Sequence, residues 1–134
     1  MAAVSRTTRR FIAGLLFNEG PLNTAAIQDR VRERCRAKDV PSLVAISGAL
    51  RPPIFIVLSM EKIESFSGKK ECSVVGINTN LIYNIEDIPY GLAYSHLFGS
   101  ERRRAIRCKR CNQRRLMQRG RDVCLRCQRM TVDI

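Results

Sequence analysis

Residues 108–127 read CKRCNQRRLMQRGRDVCLRC, two Cys-x-x-Cys pairs separated by twelve residues. A Cys-x-x-Cys turn places two thiolates on one side, and two such turns can supply the four ligands of a tetrahedral zinc ion. The segment is too polar to hold four unrelated buried thiols, and two pairs do not fit a redox motif. We therefore predict a closed, structural Zn²⁺ site. Its ligands are Cys108, Cys111, Cys124 and Cys127.

Positive charge is concentrated around these cysteines. The chain has 134 residues and a formal net charge of +12, and residues 101–134 hold twelve basic and three acidic side chains. Eleven of those twelve bases are arginine, whose planar guanidinium binds phosphate with two hydrogen bonds and stacks on bases. We therefore predict nucleic-acid binding here. A solvated charged face, an acidic protein partner or an anionic membrane surface are the alternatives.

The candidate nucleic-acid contacts lie in the arginine run, the first cysteine pair and the loop between the pairs. They are Arg102, Arg103, Arg104, Arg107, Lys109, Arg110, Arg114, Arg115, Arg119 and Arg121. No long recognition helix or heptad pattern is visible, so we expect single-stranded or small RNA in preference to duplex DNA; DNA is the alternative. So short and basic a segment cannot build an apolar core, and we expect zinc to take its place.

The preceding residues have an α+β pattern. Apolar spacing predicts helices over 4–18 and from Asn23 or Thr24 to Ala37. β-branched and aromatic runs predict strands, and a polar stretch predicts a loop. The strands are 54–58, 72–77 and 81–85, and the loop is 65–70. The predicted fold is α+β: N-terminal helices and a small β-sheet region, followed by a C-terminal four-cysteine zinc finger or ribbon. The predicted boundary separates residues 1–100 from residues 101–134.

Other sequence features limit the function classes. There is no convincing signal peptide, although the basic N-terminus leaves a mitochondrial presequence as an alternative. We expect a reducing compartment and no membrane association. No phosphate loop, nucleophile motif or carboxylate pair is visible, so we expect a binding protein and not an enzyme. We expect Cys35 and Cys72 to be buried thiols. Tyr83, Tyr90 and Tyr94 are expected to pack in the core, with base stacking as the alternative.

The arginine run at 102–104 followed by Arg107, Cys108 and Cys111 resembles a known family. The cysteine-rich nucleic-acid-binding proteins of carlaviruses and allexiviruses are small basic proteins of filamentous plant viruses with an arginine run and a four-cysteine zinc finger. The resemblance covers about 30 residues with any specificity, and the final cysteine pair departs from the wider carlavirus spacing. It implies RNA binding, suppression of host RNA silencing, and a location in the host cytoplasm with some nuclear entry.

Two further interpretations stay open. Certain zinc-bearing ribosomal proteins of the small subunit resemble this chain in the spacing of their cysteine pairs, and they imply binding to ribosomal RNA. Their chains continue well past the last pair, and residues 41–100 here carry four basic and five acidic side chains, unlike their basic N-terminal parts. The run 102–110 also resembles a nuclear localisation signal, and such runs can double as nucleic-acid contacts. Sequence leaves the oligomeric state open.

Overall fold

The computed structural model describes residues 3–65 and 68–130, which form a mixture of helices and strands. The chain divides into two compact units, one up to Ile77 and one from Asn78 onward. The sequence-based boundary at residue 100 therefore falls inside the second unit. The reason is that residues 78–100 supply packing partners for the cysteine module, as described below.

Helices α1 and α2 open the first unit. Helix α1 spans Arg6–Glu19 and is capped by Ser5, whose hydroxyl oxygen accepts from the backbone N–H of Thr8 at 3.1 Å. It ends at Gly20, where a φ of +88° favours glycine. Strand β1, Leu22–Asn23, leads into helix α2, Thr24–Arg32. The Asn23 side chain caps α2 by accepting from Ala26 N at 2.8 Å, as the sequence predicted.

A three-stranded antiparallel sheet completes this unit. Helix α3, Leu43–Ala49, precedes strand β2, Phe55–Ser65, which pairs with strand β3, Gly68–Ile77. The strand order is β1-β3-β2, and the hairpin pairs Phe55 with Ile77 at one end and Ser65 with Gly68 at the other. The loop prediction is therefore wrong for Ser65 and residues 68–70, which pair across the hairpin in an extended ladder, while residues 66 and 67 of the predicted loop lie outside the described part of the chain.

The core of the first unit lies where the helices meet the sheet. Helices α1 and α2 both contact β3, and α2 also contacts α3. The side chains that the helices and the sheet direct into this core are almost fully buried, and those of the helices follow the predicted apolar spacing. The largest of them are Ile12, Leu16, Ile27, Val31, Ile46, Phe55 and Val75.

The second unit is built from short elements. After helix α4, Ile88–Gly91, come helix α5, Gly99–Arg104, and the β4–β5 ribbon that pairs Ile106–Arg107 with Arg114–Arg115. Helix α6, Leu125–Met130, follows the ribbon. The predicted strand over 81–85 is wrong: the backbone N–H groups of Leu81 and Ile82 both donate to Asn78 O, which makes a turn. Buried leucines give the unit its own apolar contacts. They include Leu81, Leu92, Leu97, Leu116 and Leu125.

None of the helices in the described part of the chain combines the length and the apolar character that a membrane span requires.

Candidate metal centre

The first cysteine pair lies in a tight turn between β4 and β5. The backbone N–H of Asn112 donates to Cys108 O at 2.9 Å, and Asn112 has a φ of +60°. Asparagine tolerates this left-handed conformation better than most residues. The turn reverses the chain so that both thiols of the pair face the same side. Two arginines of the ribbon thus stand directly before and after the turn.

The second pair begins helix α6. Cys124 directly precedes this helix and Cys127 is its third residue, so the two side chains, three residues apart, lie on the same face. Both thiols are buried, as is Cys108, and Met117 and Val123 pack against the cluster. Cys111 is half-buried. The cysteines and these two apolar side chains therefore form one largely buried cluster.

The four sulfur atoms have the spacing of a tetrahedral metal site. All four Sγ atoms lie within 4.8 Å of one another. Cys108 and Cys127 are 3.8 Å apart, as are Cys111 and Cys124, so each short contact joins one pair to the other. Metal–sulfur bonds of about 2.3 Å in a tetrahedron give sulfur–sulfur edges of about 3.8 Å. The prediction that these cysteines form one cluster able to hold a metal is confirmed.

Hydrogen bonds to sulfur make the four thiols unequal. Burial of Cys108 opposes ionisation, but the backbone N–H groups of Cys111, Cys124 and Arg110 outweigh it and lower the pKa of Cys108 to about 6. Those donors lie 3.3–3.4 Å from its Sγ. Burial raises the pKa of Cys124, and burial followed by the neighbouring thiols raises the pKa of Cys127 to about 12. One thiolate is thus favoured without metal, while two thiols stay protonated at neutral pH.

An ion pair links the two cysteine turns. The ammonium of Lys109 lies 2.9 Å from a carboxylate oxygen of Asp122, and both side chains are exposed. The backbone N–H of Lys109 also donates to Asp122 O at 3.0 Å. The pKa of the Asp122 carboxyl is lowered by the hydrogen bond from Lys109 and by its charge. Asp122 therefore partly neutralises Lys109, one of the predicted nucleic-acid contacts.

Most of the predicted arginine contacts are solvent-exposed. Arg103, Arg104, Arg107, Arg110, Arg114, Arg119 and Arg121 are all exposed. Two of the predicted arginines share an aromatic partner: the guanidinium carbons of Arg102 and Arg114 lie 5.5 and 4.9 Å from the ring centre of Tyr94. Arg102 is half-buried and also donates to Ser95 O at 2.9 Å. Arginine charge is thus spread over α5, the ribbon and the loop between the cysteine pairs.

Arg115 is the predicted contact that the structure places differently. It retains only 8 % of its accessible surface, and its Nη1 donates to Leu92 O at 3.4 Å. Strand β5 turns Arg114 outward and Arg115 inward, because successive side chains on a strand alternate. Arg115 therefore packs within the second unit and is not part of its accessible charged surface.

Sequence reasoning missed an arginine–tyrosine pair outside the predicted set. The guanidinium carbon of Arg129 lies 3.8 Å from the ring centre of Tyr83, and Tyr83 is 53 % exposed. This contradicts the expectation that Tyr83 packs in the core. The pair joins residues far apart in sequence, so no local pattern could have revealed it.

No protein-family model, curated protein or solved structure matches this chain.

Proposed function

We propose that this protein binds RNA through the arginine surface of its second unit, and that a zinc ion held by the four cysteines orders that surface. The supporting observation is that four sulfurs at tetrahedral spacing lie within the same unit as seven exposed arginines of the predicted set. Four thiolates without a nitrogen or oxygen ligand are the donor set of a structural zinc site. Metal binding by these cysteines would add folding energy to that of the unit's buried leucines.

RNA is favoured over an acidic protein partner by the chemistry of the charged groups. Among the bases of residues 101–134, arginine outnumbers lysine eleven to one. Its forked guanidinium matches phosphate oxygens and stacks on bases. The described helices of the second unit are at most six residues long, so none resembles a recognition helix of the DNA major groove. Phosphate contacts of this kind bind with little sequence preference.

In the cell, the proposed role is suppression of host RNA silencing, with action in the host cytoplasm and nuclear entry through residues 102–110. This part rests on the resemblance to the carlavirus and allexivirus proteins. Expression of the protein beside a silenced reporter in leaf tissue tests it directly. Restored reporter signal supports suppression, whereas a signal that stays silent while the protein accumulates contradicts it.

The binding proposal is tested by gel shift with single-stranded, duplex and small-RNA ligands, before and after chelation. We expect binding with a steep salt dependence, at about −0.7 in the log–log slope for each phosphate neutralised on a single strand. Chelation should abolish RNA binding. Unchanged binding after complete metal removal would contradict the proposal that the metal orders the RNA-binding surface.

The ribosomal alternative is favoured only by the spacing of the cysteine pairs. It predicts that the protein co-sediments with small ribosomal subunits at high salt. A silencing suppressor should remain in the soluble fraction under those conditions, so one sedimentation experiment separates the two.

A further inference from the structure

The aromatic ring of Tyr83 stacks on the guanidinium of Arg129, which two further contacts hold in place. Arg129 covers one face of the Tyr83 ring at 3.8 Å, close enough for stacking. Its Nε donates to Leu81 O at 3.3 Å and its Nη2 lies 3.5 Å from a carboxylate oxygen of Asp87. These two contacts hold the plane of the guanidinium, so the ring rests on a support that cannot easily rotate away.

The Tyr83 backbone is held by the same carboxylate. Asp87 Oδ2 accepts from the backbone N–H groups of Tyr83 and Asn84, each at 3.0 Å. Asp87 itself is 7 % exposed, so its bonds face little competition from water. One buried carboxylate thus positions both the ring and the guanidinium beneath it. Such ordering lowers the entropy lost when a flat ligand stacks on the ring.

Tyr83 is more than half exposed despite this contact. Tyr83 keeps 53 % of its surface accessible, although a purely structural tyrosine would bury its apolar body. Tyr94 differs, because it is half-buried and two guanidinium groups lie near its ring. Tyr83 is therefore the most exposed aromatic residue in the described part of the second unit.

We propose that the open face of Tyr83 is a stacking site for an unpaired nucleobase, which makes this unit prefer single-stranded RNA to duplex RNA. The inference rests on the proposed RNA binding and extends it to a specific contact. A cationic ligand is disfavoured, because Arg129 already places positive charge on the ring. A nucleobase offers a flat π face and carries a phosphate that the neighbouring arginines attract. Bases inside a duplex are stacked on both faces and cannot reach Tyr83.

The test compares three variants with a single-stranded oligouridine that carries one 2-aminopurine, whose fluorescence is quenched by stacking. Tyr83→Phe keeps the ring and should bind like the wild type. Tyr83→Leu and Tyr83→Ala remove the π face and should weaken single-strand binding about tenfold. They should also lose the quenching, while the salt slope and binding to the same strand annealed to its complement stay unchanged. Ile85→Ala is the matched control, since Ile85 is also exposed and lies two residues away.

The outcomes separate this inference from the function on which it rests. If the wild type binds none of the RNA ligands, the proposed function fails and the stacking site fails with it. If the wild type binds and quenches, and Tyr83→Leu does the same, only the stacking site is overturned. Metal content and circular dichroism identify a misfolded variant. If Tyr83→Leu and Tyr83→Ala both misfold, the wild type and Tyr83→Phe decide, and the absence of quenching in both proteins contradicts the proposal.

Discussion

Lys109 and Asp122 connect the two cysteine turns twice, once through their backbones at 3.0 Å and once through their side chains at 2.9 Å. Lys109 is the single lysine among the twelve bases of residues 101–134. Its role in the proposed RNA binding therefore differs from that of the exposed arginines, because the Asp122 carboxylate would compete with phosphate for its charge. This pair allows electrostatic and structural contributions to be separated by mutation.

Substituting Asp122→Asn should raise RNA affinity severalfold at low salt. The change releases the Lys109 ammonium for a phosphate, so the log–log salt slope should steepen by about 0.7. Filter binding across a salt series measures both quantities. Glu86→Gln is the control, because it makes the same change in net charge at another exposed acid of this unit. Equal effects from the two variants would show that net charge alone is responsible.

Arg104→Ala and Arg115→Ala should have opposite effects on RNA binding and on stability. Arg104 is exposed, so its loss should weaken RNA binding and leave the melting temperature nearly unchanged. Arg115 is buried against Leu92 O, so its loss should lower the stability of the second unit by about 1–3 kcal/mol. Thermal melting of the metal-bound protein and RNA titration provide the two readouts. A stable Arg115→Ala protein with weakened RNA binding would instead place Arg115 at the RNA contact.

Metal removal should unfold the β4–β5 ribbon and helix α6 and spare the first unit. A chelator, or the substitution Cys124→Ser, should abolish hydrogen-exchange protection in the β4–β5 ribbon and helix α6. Protection of the β2–β3 hairpin and of α1 should persist, because that unit has its own buried core. Cys35→Ser is the control, since Cys35 lies outside the cluster. Retained protection around Cys108 after complete metal loss would contradict this expectation.

Zinc binding should release protons and tighten as pH rises. The raised pKa values of Cys124 and Cys127 keep both thiols protonated at pH 7, so zinc must displace at least two protons. Cys108, with a pKa of about 6, contributes little. Affinity should therefore increase from pH 6 to pH 8. Calorimetric titration in two buffers of different ionisation enthalpy counts the protons, and a count near zero would be inconsistent with these thiol states.

Ile27→Ala should destabilise the first unit without affecting RNA binding. Ile27 is fully buried on helix α2, and removal of such a side chain costs about 2–5 kcal/mol. Val44→Ala on helix α3 is the control, because Val44 is largely exposed and its loss should change stability by less than about 0.5 kcal/mol. Urea unfolding measures the free energy of unfolding of both variants. Weaker RNA binding by a still-folded Ile27→Ala protein would assign the first unit a part in recognition.

Local signals in the sequence predicted the elements whose structure is decided locally. The cysteine spacing predicted the cluster, and Asn23 predicted the start of α2, because a turn and a cap depend on a few neighbouring residues. The strand predicted over 81–85 failed because a turn, and not a sheet, buries Leu81 and Ile82. Propensity yields to tertiary packing in such short runs.

The missed features depend on contacts between distant residues. The stacking of Arg129 on Tyr83 and the hydrogen bond from Arg115 to Leu92 each join segments that are far apart in the sequence. Arg114 and Arg115 look identical in sequence, and only the side on which β5 faces the unit distinguishes an exposed charge from a buried one. Surface and interior roles could not be assigned without that orientation.

The distribution of cysteines provides a chemical measure of metal loading. Four thiols belong to the cluster, while Cys35 is half-buried and Cys72 is buried in the other unit. A thiol-reactive dye added to fully loaded native protein should therefore label Cys35 first, and chelation should add four fast-reacting groups. The increment per chain reports fractional occupancy directly, so preparations can be ranked by metal content before any binding experiment.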